Sequence, residues 1–207
     1  MPPILYLHGF ASSPGSTKAS HFRRYLEAAG ATVEVPDLAA GDFERLTLSG
    51  QLAVIGQVVG DRAVSLIGSS MGGYLAALYA ARHAEIDRVV LLAPAFGFAR
   101  RWRAHLGEEA VTRWRETGRM EVFHYGQSRA TTVGYELMED AERYEDYPDF
   151  RQPALIFHGS QDDVVPARYS QEFARGRPHV QLEILDSGHE LTDQLDFMAP
   201  KILEFLK

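Results

Sequence analysis

The chain has 207 residues, with 28 acidic against 21 basic side chains for a formal charge of -7, 45% hydrophobic residues and no cysteine. That length suits one domain, residues 1–207, with a core of its own, and charge spread without a tail of one sign speaks against a nucleic-acid partner. The absence of thiols excludes disulfides, thiolate catalysis and thiolate-bound zinc.

The opening stretch MPPILYLHGF has neither a basic leader nor a small-residue cleavage site, so it reads as the start of a strand rather than as a signal peptide, and a cytoplasmic location is expected. PILYLH at 3–8 is followed by KASHFRRYLEAAG, where Phe22, Tyr25, Leu26 and Ala29 share a helical face before Gly30 stops it. Strand-like runs recur as TVEV at 32–35, AVSLI at 63–67, RVVLL at 88–92, PALIFH at 153–158 and VQLEIL at 180–185. Several are apolar throughout, as strands buried on both faces are. The longest apolar run, Val89–Ala99, is broken by Pro94 and Gly97 and falls short of the ~18 residues of a membrane span. Strands alternating with helices imply an α/β fold, a parallel sheet with helices on both sides.

Residues 95–149 break the alternation. Phe98, Trp102, Leu106, Ala110 and Trp114 recur every four residues, which predicts an apolar stripe along a charged helix. YELMEDAERYEDY presents Leu137, Met138, Ala141 and Tyr144 in the same way. The segment is expected to form a small helical cap over one end of the sheet, with helices packed on the sheet's flank as the alternative.

Gly68-Ser69-Ser70-Met71-Gly72 fits G-x-S-x-G with Ser70 at its centre, between the strand AVSLI and the helix-forming YLAALYAA. A nucleophile on so sharp a strand-to-helix corner needs glycines on either side, here Gly68 and Gly72, because side chains there would collide with neighbouring main chain. A serine hydroxyl needs a base to take its proton. Of eight histidines, His189 in LDSGHEL stands in the loop between the last strand and the last helix, where such a base is expected. FHGSQDDVVP offers Asp162 and Asp163 as the acid; Asp162 leads because the segment resembles the H-G-x-x-D-x-x-V-P signature of hydrolases, and Asp163 stays open as the alternative. Oxyanion donors are expected from the main-chain amides of Met71 and of Phe10 in LHGF. Phe96, Phe98, Trp102 and Trp114 are candidates for an acyl pocket, and no metal site is expected.

YLHGFASSPGSTKA, GSSMGGYLA, HGSQDDVVP and SGHEL, in this order and spacing, resemble the small bacterial α/β-hydrolase esterases of the YqiA type and are similar to abhydrolase-domain acyl-protein thioesterases. The resemblance covers the catalytic frame and is weakest over the cap. It implies a minimal α/β-hydrolase sheet of roughly six or seven strands without the antiparallel edge of larger members. It also implies Ser70, Asp162 and His189 as a triad, and hydrolysis of a small-molecule ester without metal or organic cofactor. A serine carboxylic-ester hydrolase acting on small to medium acyl esters is therefore expected. An acyl-protein or acyl-CoA thioesterase is the first alternative, and a low-turnover ligand-binding protein of the same fold the second.

Overall fold

A computed structural model describes residues Met1–Lys207. In chain order its elements are β1 (Ile4–Leu7), α1 (Thr17–Ala28), β2 (Val33–Glu34), α2 (Leu48–Val59), β3 (Ser65–Ser69), α3 (Met71–Ala80) and β4 (Val89–Leu92). There follow α4 (Phe98–Leu106), α5 (Glu108–Thr117), β5 (Arg119–His124), β6 (Arg129–Gly134), α6 (Glu136–Ala141), β7 (Ala154–Gly159), α7 (Arg168–Ala174), β8 (Val180–Leu185) and α8 (Leu195–Leu206).

Every expected strand falls in one six-stranded sheet of order β2-β1-β3-β4-β7-β8. All its pairings are parallel. Alternation along each strand divides the core in two. Leu5, Leu7, Leu66, Leu91 and Ile156 face α2, α3 and α7, while Ile4, Tyr6, Ile67, Leu92 and Phe157 face α1 and α8. The strand order reverses direction between β1 and β3, and in open parallel sheets ligands bind beyond the carboxyl ends of the strands at such a reversal. Pairing of Leu7 with Gly68 and of Ser69 with Leu92 brings the ends of β1, β3 and β4 level there.

On α1 the buried face is Ala19, Phe22 and Leu26, whereas Tyr25 is exposed. Two points of the expected cap differ. The apolar stripe from Phe98 to Trp114 runs over two helices, because Gly107 at φ +78 ends α4 and starts α5. The stretch after α5 forms an antiparallel hairpin, β5 with β6, pairing Arg119 with Gly134 through His124 with Arg129. Its turn places Ser128 at φ +52, with no Asn-Gly or Asp-Gly pair to announce it. α6 is also shorter than its pattern, ending at Ala141, with Leu137, Met138 and Ala141 buried.

Residues of this segment reach the carboxyl end of the sheet. Gly126, at the hairpin turn, donates to the Ala11 carbonyl at 3.3 Å, and Trp102 of α4 packs edge-on against Phe10 at 5.2 Å between ring centres. A buried carboxylate ties the segment down elsewhere: Asp140 of α6 accepts from the Ser49 amide at 2.7 Å and the Ser49 hydroxyl at 2.6 Å, in the first turn of α2. Those amides have no partner within their own helix. Asp140→Ala is therefore expected to lower the free energy of unfolding by about 1–3 kcal/mol, read from urea denaturation at neutral pH.

Candidate active site

Ser70 sits between β3 and α3 with φ +54 and ψ -115, a backbone conformation rare for a residue bearing a side chain and worth about 1–3 kcal/mol of strain. Three main-chain hydrogen bonds hold it there. Its amide donates to the Leu92 carbonyl at 2.8 Å, and its carbonyl accepts from Tyr74 at 3.1 Å and Ala95 at 2.9 Å. The glycines are steric necessities: a Cβ on Gly68 would lie 2.3 Å from the Gly72 carbonyl oxygen, and one on Gly72 would lie 2.1 Å from that of Leu7. The corner is packed against the end of β1, and the Ser70 hydroxyl points to His189.

From the loop after β8, His189 turns back to meet it. His189 Nε2 lies 3.0 Å from Ser70 Oγ and its Nδ1 lies 2.7 Å from Asp162 Oδ2. A carboxylate can only accept, so Nδ1 carries the hydrogen and Nε2 is left to accept from the hydroxyl. The structure thus brings together Ser70, His189 and Asp162; Asp163 is exposed and stands outside the set. The arrangement can draw a proton off the hydroxyl while the carboxylate steadies the imidazolium that forms.

Asp162 is buried, yet it is well provided with donors. Its Oδ1 accepts from the amides of Val164 at 3.0 Å and Val165 at 2.7 Å. Burial raises its pKa, but contacts from His158 and His189, the charge of His189 and the Val165 amide outweigh that and hold the carboxyl well below the usual carboxylate range. Arg101 of α4 steadies the same loop by donating to the Val164 carbonyl at 2.9 Å.

The His189 loop is fastened at several points. Buried Lys18 of α1 donates to the Glu190 carbonyl at 2.8 Å, and Ser187 donates to Asp193 at 2.5 Å. Burial lowers the Lys18 pKa, opposed by the charges of Glu190 and Asp162. Gly159 ends β7 so close beneath this loop that a Cβ would lie 2.3 Å from the Ser187 carbonyl oxygen. Lys18 lies inside the SPGSTKA stretch, but nothing local marks it as a buried partner of a loop 172 residues downstream.

Of the expected oxyanion donors, Phe10 lies in the turn after β1 and its amide donates to no other group of the chain. Met71 opens α3, where an amide has no carbonyl one turn back to bond. His8 sets the first of these: Leu38 donates to its Nε2 at 3.2 Å, so Nδ1 carries the hydrogen and donates to the Gly9 carbonyl at 3.0 Å. Holding that carbonyl fixes the trans peptide whose other side is the Phe10 amide. Burial pushes the His8 pKa down, which favours this neutral form.

The aromatic candidates divide. Trp102 lies between Phe10 and Phe98, at 5.2 and 5.0 Å. Phe96 is fully buried, stacked on Phe173 of α7 at 4.3 Å. Trp114 is buried in the cap with its indole N–H donating to the Val133 carbonyl at 3.0 Å, so these two serve packing. A wall of Phe10, Phe43 and Trp102 was not expected as such; Phe43 joins it at 5.3 Å from Phe10, from a loop with no motif of its own. No group of three or more His, Asp or Glu side chains is placed to hold a metal ion. No helix is long and apolar enough to cross a membrane.

Residues 3–207 match the family model described as uncharacterised protein family UPF0227. The chain belongs to the UPF0227 family. No curated protein matches this UPF0227 chain by sequence. Solved structures are similar to it over nearly its whole length. Alpha/beta hydrolase domain-containing protein 10 from mouse is 19% identical with a TM-score of 0.84, covering 100% of this chain and 90% of that one. Est1E from Butyrivibrio proteoclasticus is 21% identical with a TM-score of 0.80, over 99% of this chain and 86% of that one. A monoacylglycerol lipase from Paleococcus ferrophilus is 16% identical with a TM-score of 0.76, over 98% and 93%. The UPF0227 protein thus has the α/β-hydrolase fold.

Two outcomes follow from this packing. Gly72→Ala should destabilise the protein by about 1–3 kcal/mol or more, while Gly15→Ala, whose Cβ would meet nothing nearer than 3.8 Å, should melt like the wild type; thermal denaturation reads both. Because the Asp162 carboxyl is held down in the folded state, its stabilising contribution is complete above the unfolded value of about 3.9 and is lost as pH falls below it. Asp162→Asn should therefore flatten the acid side of the curve of unfolding free energy against pH between about 2 and 5.

Proposed function

We propose that this protein is a serine carboxylic-ester hydrolase working through an acyl-enzyme on Ser70. The observation that carries the proposal is the unbroken chain from Ser70 Oγ to His189 Nε2 at 3.0 Å and from His189 Nδ1 to Asp162 Oδ2 at 2.7 Å, with Ser70 at a positive φ.

Ser70 Oγ bonds to the acyl carbon as its proton passes to His189 Nε2, and the carbonyl electrons move onto the oxygen. That oxygen is received by the amides of Phe10 and Met71, at the start of a helix whose dipole also favours negative charge. The tetrahedral species collapses, the bond to the leaving oxygen breaks, and His189 gives that oxygen its proton. Water then repeats the sequence against the acyl carbon: His189 takes its proton, the Ser70 ester bond breaks, and Oγ recovers a proton from His189. Asp162 stays ionised throughout and keeps the imidazole in the tautomer that accepts from serine. Phe10, Phe43, Phe98 and Trp102 form the apolar wall against which an acyl group of small to medium size would lie. Among structures of this fold, Est1E has been seen with ferulic acid bound, which suits such a wall.

A fluorophosphonate probe should label the wild type at Ser70 and leave Ser70→Ala unlabelled, and that variant should hydrolyse nitrophenyl esters at least about a thousandfold more slowly. Absence of an adduct on the wild type, or an equal adduct on the variant, overturns the proposal. Rates for nitrophenyl esters of increasing length should peak at short to medium chains. Paired oxygen and sulfur esters of one acyl group should favour oxygen; a strong preference for sulfur would move the assignment to a thioesterase.

A further inference from the structure

We propose that His158, outside the Ser70–His189–Asp162 set, is a positioning residue that holds the Asp162 carboxylate in place for the ester hydrolysis inferred above, on which this inference rests. His158 is the second-to-last residue of β7 and is wholly buried. An imidazole there bears a desolvation cost that a leucine or phenylalanine would not, so what it touches decides why it is present. Its contacts converge on the acid. Nε2 lies 2.7 Å from the Val165 carbonyl, which can only accept, so Nε2 carries the hydrogen. The same nitrogen lies 3.1 Å from Asp162 Oδ2, the oxygen that receives His189 Nδ1–H. Nδ1 meets the buried Ser170 hydroxyl of α7 at 2.7 Å, which sets the ring's rotation.

The acid is therefore gripped twice through this one side chain. Val165 is held at both ends of its backbone, its amide by Asp162 Oδ1 and its carbonyl by His158, so the loop that supplies donors to the carboxylate cannot drift. The same Nε2–H, bonded to the Val165 carbonyl, lies 3.1 Å from Oδ2 and so sets its partial positive charge beside the oxygen that His189 uses. The other charged groups facing Asp162 are His189 from the loop after β8, Lys18 from α1 and Arg101 from α4. Of these, only His189 and His158 approach Oδ2 itself. Without the His158 N–H, Oδ2 becomes a stronger acceptor for His189 alone, and the base keeps its proton to higher pH. A side chain that merely filled space would change stability and leave the pH dependence where it was.

The test is the pH profile of kcat/KM for nitrophenyl acetate from about pH 5 to 9, normalised to active sites counted by fluorophosphonate titration; its acid limb reports protonation of the free enzyme's base. His158→Met, of similar bulk but without a donor, should move the acid limb up by about half a pH unit or more and lower kcat about tenfold. His158→Gln, whose amide can reach the place of Nε2, should restore the limb and bring kcat within about threefold of wild type. A His158→Met enzyme with the wild-type limb and rate per active site overturns the inference. Should His158→Met fail to fold, Ser170→Ala, which frees only the Nδ1 side of the ring, should shift the limb in the same direction by less; an unmoved limb there overturns it as well. A wild type that takes no fluorophosphonate sinks the esterase proposal and this inference with it, whereas a labelled wild type with unmoved variants sinks this inference alone.

Discussion

The main-chain collision avoided at Gly68 and Gly72 governs the rest of the molecule. Three lengths of backbone, the end of β1, the end of β3 and the first turn of α3, pass within a distance that admits no Cβ, and the tightest approach would be 2.1 Å. Within that close approach Ser70 adopts a positive φ, with its hydroxyl directed to His189. The sheet makes the corner affordable: Ser70 is bonded on both sides by β4 and α3, so relaxing its backbone would break several buried hydrogen bonds to relieve a strain of about 1–3 kcal/mol.

The same sheet sets His189 and Asp162. β7 and β8 end in step, with Gly159 level with Leu185, two residues beyond the end of β4, where Leu92 is level with Phe157, so the loops of Asp162 and His189 leave the same end of the sheet as Ser70. That placement alone would leave a histidine loop free to wander. Lys18, Ser187 and Gly159 restrain the His189 loop, while Val165, Arg101 and His158 restrain the loop of Asp162. Each of these polar groups is satisfied, and several carry buried charge or near-charge; in a low-dielectric interior a network of this kind rigidifies when complete and destabilises when broken. Ser70, His189 and Asp162 are thereby held by a surrounding set of hydrogen-bonded residues.

The insertion between β4 and β7 follows other rules. Its helices present apolar stripes that pack on one another and on the sheet's helices, with Trp114 and Phe96 spent on that packing, and only its Trp102 edge and hairpin turn come to the loop after β1. An aromatic residue at helical spacing can face the core of a cap or the crevice under it, and periodicity is the same in both cases. The hairpin was hidden for a related reason. Met120, Val122 and His124 point inward by simple alternation, but the turn between its strands has no Asn-Gly or Asp-Gly pair and puts Ser128 at its positive-φ position.

By itself the amino-acid sequence determined the strands of the sheet, the position of Ser70 between its glycines, and a histidine and an aspartate on the right loops, because local backbone sterics and apolar patterning leave a record within a few residues. It put Asp162 ahead of Asp163 only through a resemblance to a signature, and it left Lys18, His8 and His158 indistinguishable from any other buried or solvated polar side chain. The tertiary structure decided these, since burial, partner and direction depend on elements brought together from distant parts of the chain: Asp162 turns inward to His189 across 27 positions, and Lys18 meets Glu190 across 172. A hydrogen bond of that kind has no period and no motif; it exists only once the parallel sheet has set its strand ends side by side.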